Sequence, residues 1–61
     1  MTPAPLLLRV TEAAEVLGLG RRKMYELLDA GEIKSVYIGR ARRIPAGELE
    51  RYVDELVNGR S

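Results

Sequence analysis

Glycines at positions 18, 31, 39 and 59 each close a stretch with its own apolar period. The chain therefore reads as a set of short elements joined by tight turns. Thr11 is a good N-cap, and Glu12 places an acid in the first turn that follows it. Ala13, Ala14 and Leu17 fall at helical spacing with Glu12 and Glu15 facing out, which predicts a first helix of about two turns ending at Gly18, a natural C′ residue. Leu19-Gly20 is a tight connector. A second helix is predicted from about Arg21 to Ala30, with Met24, Leu27 and Leu28 forming one apolar stripe and Gly31 as the stop.

Ahead of the first helix, Leu6 to Val10 reads as a short extended lead-in. Residues 1–5 read as a flexible arm, because Pro3 and Pro5 lack donors. After the second helix, Ile33 to Ile38 and Arg42 to Ile44 read as two short strands around a turn at Gly39-Arg40-Ala41. Strand alternation places Val36, Ile38 and Ile44 on one inner face. A third helix is predicted from Ala46 to Val57, where Leu49, Tyr52, Val53 and Leu56 give the best helical pattern in the chain, and Asn58-Gly59 closes it. The order helix, short turn, helix, hairpin, helix is an α+β, mainly helical layout. It is that of a small winged helix-turn-helix, with a two-stranded wing and a C-terminal helix. The domain is expected over residues 6–58, with 59–61 as a tail. The expected core is Leu8, Val10, Ala13, Ala14, Leu17, Leu19, Met24, Leu27, Leu28, Ile33, Val36, Ile38, Ile44, Leu49, Tyr52, Val53 and Leu56.

Sixty-one residues hold one small domain of marginal stability. With no Cys and no His, the thiolate nucleophile, the usual general base and the commonest metal ligands are absent. No Ser/His/Asp or Cys/His set exists and the acids are scattered on helix faces, so the expectation is not an enzyme, with no cofactor, no metal and no small-molecule ligand. No apolar run approaches the roughly 18 residues of a membrane span. Leu6-Leu7-Leu8 is too short for a signal core, so a cytoplasmic, nucleoid-associated protein is expected.

The net charge of +1 is unevenly spread. Residues 20–44 carry seven cations against three acids, net +4, whereas residues 45–61 carry two cations against four acids, net −2. A basic central stretch is a polyanion footprint. Arg21, Arg22 and Lys23 occupy the first turn of the second helix, the wrong end for cations by roughly 0.3–1 kcal/mol each. A local rule broken three times running points to a functional demand. These three are the candidates to enter a major groove, where Arg grips guanine bidentately. Tyr25 lies off the apolar stripe, either with its hydroxyl on a phosphate or half-buried at the helix edge. Arg40, Arg42 and Arg43 belong to the wing, where a narrow minor groove attracts Arg; the alternative is a charged hairpin tip that keeps an edge soluble. Lys34 and Tyr37 face outward and join the wing candidates. Glu48, Glu50, Asp54 and Glu55 read as the solvated face of the last helix, or as a surface for a partner protein.

The ordered set of motifs resembles the excisionase-type helix-turn-helix domains, relatives of the MerR DNA-binding domain. The pieces that carry it are Thr11 to Leu17, Leu17 to Tyr25, Gly31 to Ile33, Ile38 to Arg40, Arg43 to Pro45 and Leu49 to Tyr52; together the resemblance covers residues 7 to 57. Gly20 stands where the family usually has Ser or Asn, and Arg42 where many members carry an aromatic. The resemblance implies a double-stranded DNA-binding accessory factor of a phage or integrative element. Such a recombination directionality factor binds near an attachment site and directs a tyrosine integrase toward excision. Partners implied are duplex DNA, an integrase, and further copies of the chain bound cooperatively. Two other readings stay open: a small MerR-like transcriptional regulator, and a protein-interaction module with its basic face against an acidic partner.

Overall fold

The computed structural model describes residues 6–59, so the arm expected at 1–5 and the last two residues of the tail lie outside the described residues. The chain runs β1 (Leu7–Leu8), α1 (Val10–Leu17), α2 (Arg21–Asp29), β2 (Val36–Ile38), β3 (Ala41–Pro45) and α3 (Ala46–Val57). This is the helix-turn-helix, hairpin and closing helix read from the sequence. The lead-in adds to it: Leu7 pairs with Pro45 and Leu8 with Ile44, so the hairpin becomes a three-stranded antiparallel sheet of order β1-β3-β2. The Ala46 amide also donates to the Leu6 carbonyl at 2.9 Å, which ties the start of α3 to the lead-in.

The start of α1 departs from expectation. Arg9, not Thr11, is the extended N-cap residue (φ −70°, ψ 158°). Glu12 falls at the third helical position, and its carboxylate accepts the Arg9 amide at 2.8 Å. That is the carboxylate half of a capping box; with it in place the helix gains a residue ahead of Thr11 and does without the hydroxyl cap. The end of α1 is as predicted: Gly18 sits in the left-handed region at φ +70°, and the Leu19 amide closes onto the Ala14 carbonyl at 2.8 Å.

The core joins both ends of the chain. Met24, Ile33 and Ile44 are fully buried at its centre, with Leu8, Val10, Ala13, Ala14, Leu27, Leu28 and Leu49 around them. Leu17, Leu19 and Tyr52 pack against it half-buried. Four expected core residues are outside it: Val36, Ile38, Val53 and Leu56 are all exposed. For the first two the cause is register. Val36 pairs with Arg43 and Ile38 with Ala41, and cross-strand partners share a face. Ile44 follows Arg43 on β3, so it points to the opposite face from Val36 and Ile38. The other two lie past Leu49, the buried residue of α3, and Val53 borders an open groove with Val16 and Leu17 of α1 instead of being covered by them.

Candidate nucleic-acid interface

The helix cluster stands clear of the core. Met24, Leu27 and Leu28 fix the buried side of α2, which leaves Arg21, Arg22 and Lys23 exposed at positions one to three of the helix. Gly20 caps the helix without a side-chain bond, and no acid stands in the first turn. No acid within the first turn therefore offsets the free amides and the three cations. Glu26, one turn on, lies 3.9 Å from the Arg22 Nε and 3.7 Å from the Lys23 Nζ. Both contacts are long and solvated, and the Arg22 side chain is 96% exposed, so the pairs hold the cations weakly. Tyr25 is 38% exposed, at the margin between the buried and open faces of α2.

The wing behaves differently. Arg40 sits exposed in the turn that joins β2 to β3. Arg42 is held in place. Its Nε donates to the Ser35 hydroxyl at 2.8 Å, and its guanidinium lies 5.8 Å from the centre of the Tyr37 ring, within cation–π range. The register explains this contact, because Tyr37 and Arg42 are direct cross-strand partners. Arg43 folds back, its Nη1 donating to the Arg42 carbonyl at 2.9 Å. The three arginines are therefore not equivalent: one lies at the tip, one is braced against an aromatic ring that is itself 65% exposed, and one is bonded to the strand backbone.

Lys34 is exposed, but its backbone is anchored. Its amide donates to the Glu48 carboxylate at 2.9 Å. Arg51 donates to both Glu48 oxygens, at 3.0 and 3.1 Å, to Glu55 and to the Glu32 carbonyl at 2.8 Å. The segment leading from α2 into the wing is thus fastened to α3. Hydrogen bonds from the Arg51 side chain first, and from the Lys34 amide second, hold the Glu48 carboxyl below the usual glutamate range. Glu48 and Glu55 are bound up in this strap, which the reading of a solvated acidic face did not foresee. The signal was a pair of acids flanking Arg51 at helical spacing. Ser35, also missed, becomes legible only once the strand register is known.

The structure places the nine candidates on two elements, α2 and the wing with its approach. Among the described residues, no hydrogen bond or ion pair joins one cluster to the other. The longest dimension of the described residues is 34 Å, about one turn of duplex. Among the described residues there is no group of three or more His, Cys, Asp or Glu able to hold a metal, and no helix long and apolar enough to cross a membrane.

Comparison with known proteins agrees with this architecture. The family model described as a helix-turn-helix domain matches residues 7–56. The chain is also similar to a protein of Saccharopolyspora erythraea described as a probable excisionase, 53% identical over 55 residues. That match covers 90% of this chain and 56% of the relative, so the chain spans little more than half the relative's length. No solved structure matches.

Proposed function

The chain belongs to the helix-turn-helix domain family, and we propose that it works as a sequence-specific double-stranded DNA-binding accessory factor of the excisionase type. In this reading the first turn of α2 enters the major groove and Arg21, Arg22 and Lys23 contact bases and phosphates. The wing lies along the backbone or minor groove through Arg40 and Tyr37, with Lys34, Arg42 and Arg43 at its margins, and Tyr25 stands at the edge of α2. The carrying observation is the cluster at positions one to three of α2: three exposed cations at the helix end that disfavours them. A duplex supplies the negative charge that this arrangement lacks.

The finer reading is that of a recombination directionality factor. The protein binds near an attachment site, alone or as adjacent copies, and directs a tyrosine integrase toward excision. A domain about one helical turn long bends DNA little by itself, since smoothly bending a 20–30 bp site costs on the order of 1–6 kcal/mol. Sharp bending then requires several copies or the integrase alongside. The likeness to a probable excisionase supports this role. The test is footprinting over the attachment site of the host element, paired with an excision assay with and without the protein. Protection there and stimulated excision support the reading. Protection only at promoters, with excision unaffected, replaces it with transcriptional regulation.

A further inference from the structure

On the side of the molecule built by α1 and α3 lies an apolar groove of about 320 Å³, lined by Val16, Leu17, Leu49, Glu50 and Val53. No residue of α2 or the wing lines it. Its margins are unusually apolar for an exposed surface. Val16 is 65% exposed, Val53 41%, Leu56 56% and Val57 75%, and all four lie on the two helices that form the groove. All four are open to solvent, and exposed apolar surface of this kind marks an interaction site.

The charge around the groove says what fits it. Within their helical bounds, α1 carries Glu12 and Glu15 and no cation, and α3 carries Glu48, Glu50, Asp54 and Glu55 against a single Arg51. Arg51 sits about 200° round the helix from Val53, at 100° per residue, where it binds Glu48, Glu55 and the Glu32 carbonyl. Glu50 and Asp54, by contrast, lie within about 100° of Val53. Among the described residues, the charged side chains that the two helices place beside the apolar strip are therefore acidic, opposite in sign to the α2 and wing clusters. A duplex is repelled from it.

We infer that this groove is a docking site for an amphipathic helix of a partner protein, with aliphatic side chains on one face and Lys or Arg on its flanks. A helix lays anchors at i, i+3, i+4 and i+7 into such a groove, and its flanking cations meet Glu15, Glu50 and Asp54. Because the groove shares no residue with the candidate DNA-contacting elements, it can be filled while the protein sits on a duplex. The inference stands whether or not the DNA reading does.

The probe is a 16-residue synthetic peptide with Leu at helical spacing and Lys at the remaining positions. Two controls accompany it: the same residues in an order that destroys the periodicity, and the same pattern with Glu for Lys. Binding is followed by amide and methyl NMR of the whole chain. The expected result is saturable binding of the periodic basic peptide, with shifts confined to Val16, Leu17, Val53, Leu56 and their neighbours, and at least tenfold weaker binding of both controls. Val53→Asp and, separately, Val16→Asp should each weaken peptide binding at least tenfold while Val36→Asp, on the wing, leaves it unchanged. Both groove positions are exposed, and a thermal melt of each variant verifies its fold. Equal binding of the scrambled peptide, shifts on α2 or the wing, no saturable binding, or indifference to both groove variants would each overturn the inference. So would sedimentation showing that the chain self-associates through this face, which would make the occupant a second copy.

Discussion

Replacing Glu48 with glutamine cuts one strap and tests whether it holds the wing's approach to α3. The carboxylate accepts the Lys34 amide at 2.9 Å and the Arg51 guanidinium at 3.0 and 3.1 Å. Glutamine keeps one acceptor oxygen but loses the charge that strengthens these bonds. The amide bond is the part that counts, since Arg51 is solvated and an exposed ion pair adds little. Losing the charge assistance on one partly exposed bond costs about 1 kcal/mol. With an unfolding entropy of about 2.1 cal/mol/K per residue, a 61-residue chain loses about 8 °C in Tm for each kcal/mol. The sign with pH follows from the depressed carboxyl: its stabilisation is complete above the unfolded glutamate value and disappears as pH falls through the lower folded value. Melts of wild type and Glu48→Gln should therefore differ by several degrees at pH 7 and converge in strong acid, well below the ordinary glutamate range. A gap that is the same at both pH values, or no gap at neutral pH, would show that the charge of Glu48 is not what fastens the segment.

Two further expectations separate the core from its margins and the wing's residues from one another. Leu49→Ala, at a buried site, should cost about 2–5 kcal/mol out of a total of roughly 3–9 kcal/mol for a chain this size. Leu56→Ala, 56% exposed, should move the melt little; equal losses would place Leu56 in the core after all. In duplex binding, Arg40→Ala should lower the log–log salt slope by about 0.9, the value of one neutralised phosphate. Ser35→Ala should weaken binding with the slope unchanged, because it frees the braced Arg42 and removes no charge.

The periodicity of the chain made most of the fold legible. The Leu49-Tyr52-Val53-Leu56 pattern and the Pro45 boundary gave α3 its observed limits, Ala46–Val57, and Gly18 gave the end of α1. What escaped depended on partners distant in sequence. Val36 and Ile38 alternate correctly within β2, but which face meets the core is decided by pairing with Ala41 and Arg43, and nothing within β2 encodes that. The third strand escaped for the same reason: Leu7 and Leu8 become a strand only because β3 offers them an edge. At the candidate interface, charge pattern located both basic clusters. It did not show that Arg42 is braced, because that brace comes from Ser35, seven residues away across a hairpin.

In the proposed reading the α2 cluster reads DNA sequence while the wing adds affinity. The measurement is a salt titration of wild type, Arg22→Ala, Lys23→Ala and Arg40→Ala on a footprinted duplex and on a scrambled one of equal length. Six or so cations at phosphates give a wild-type slope near −5. The helix variants should lose roughly 1–3 kcal/mol on the specific duplex and much less on the scrambled one, whereas Arg40→Ala should weaken both about equally. A flat salt response, or discrimination abolished by Arg40→Ala and untouched by the helix variants, would contradict it.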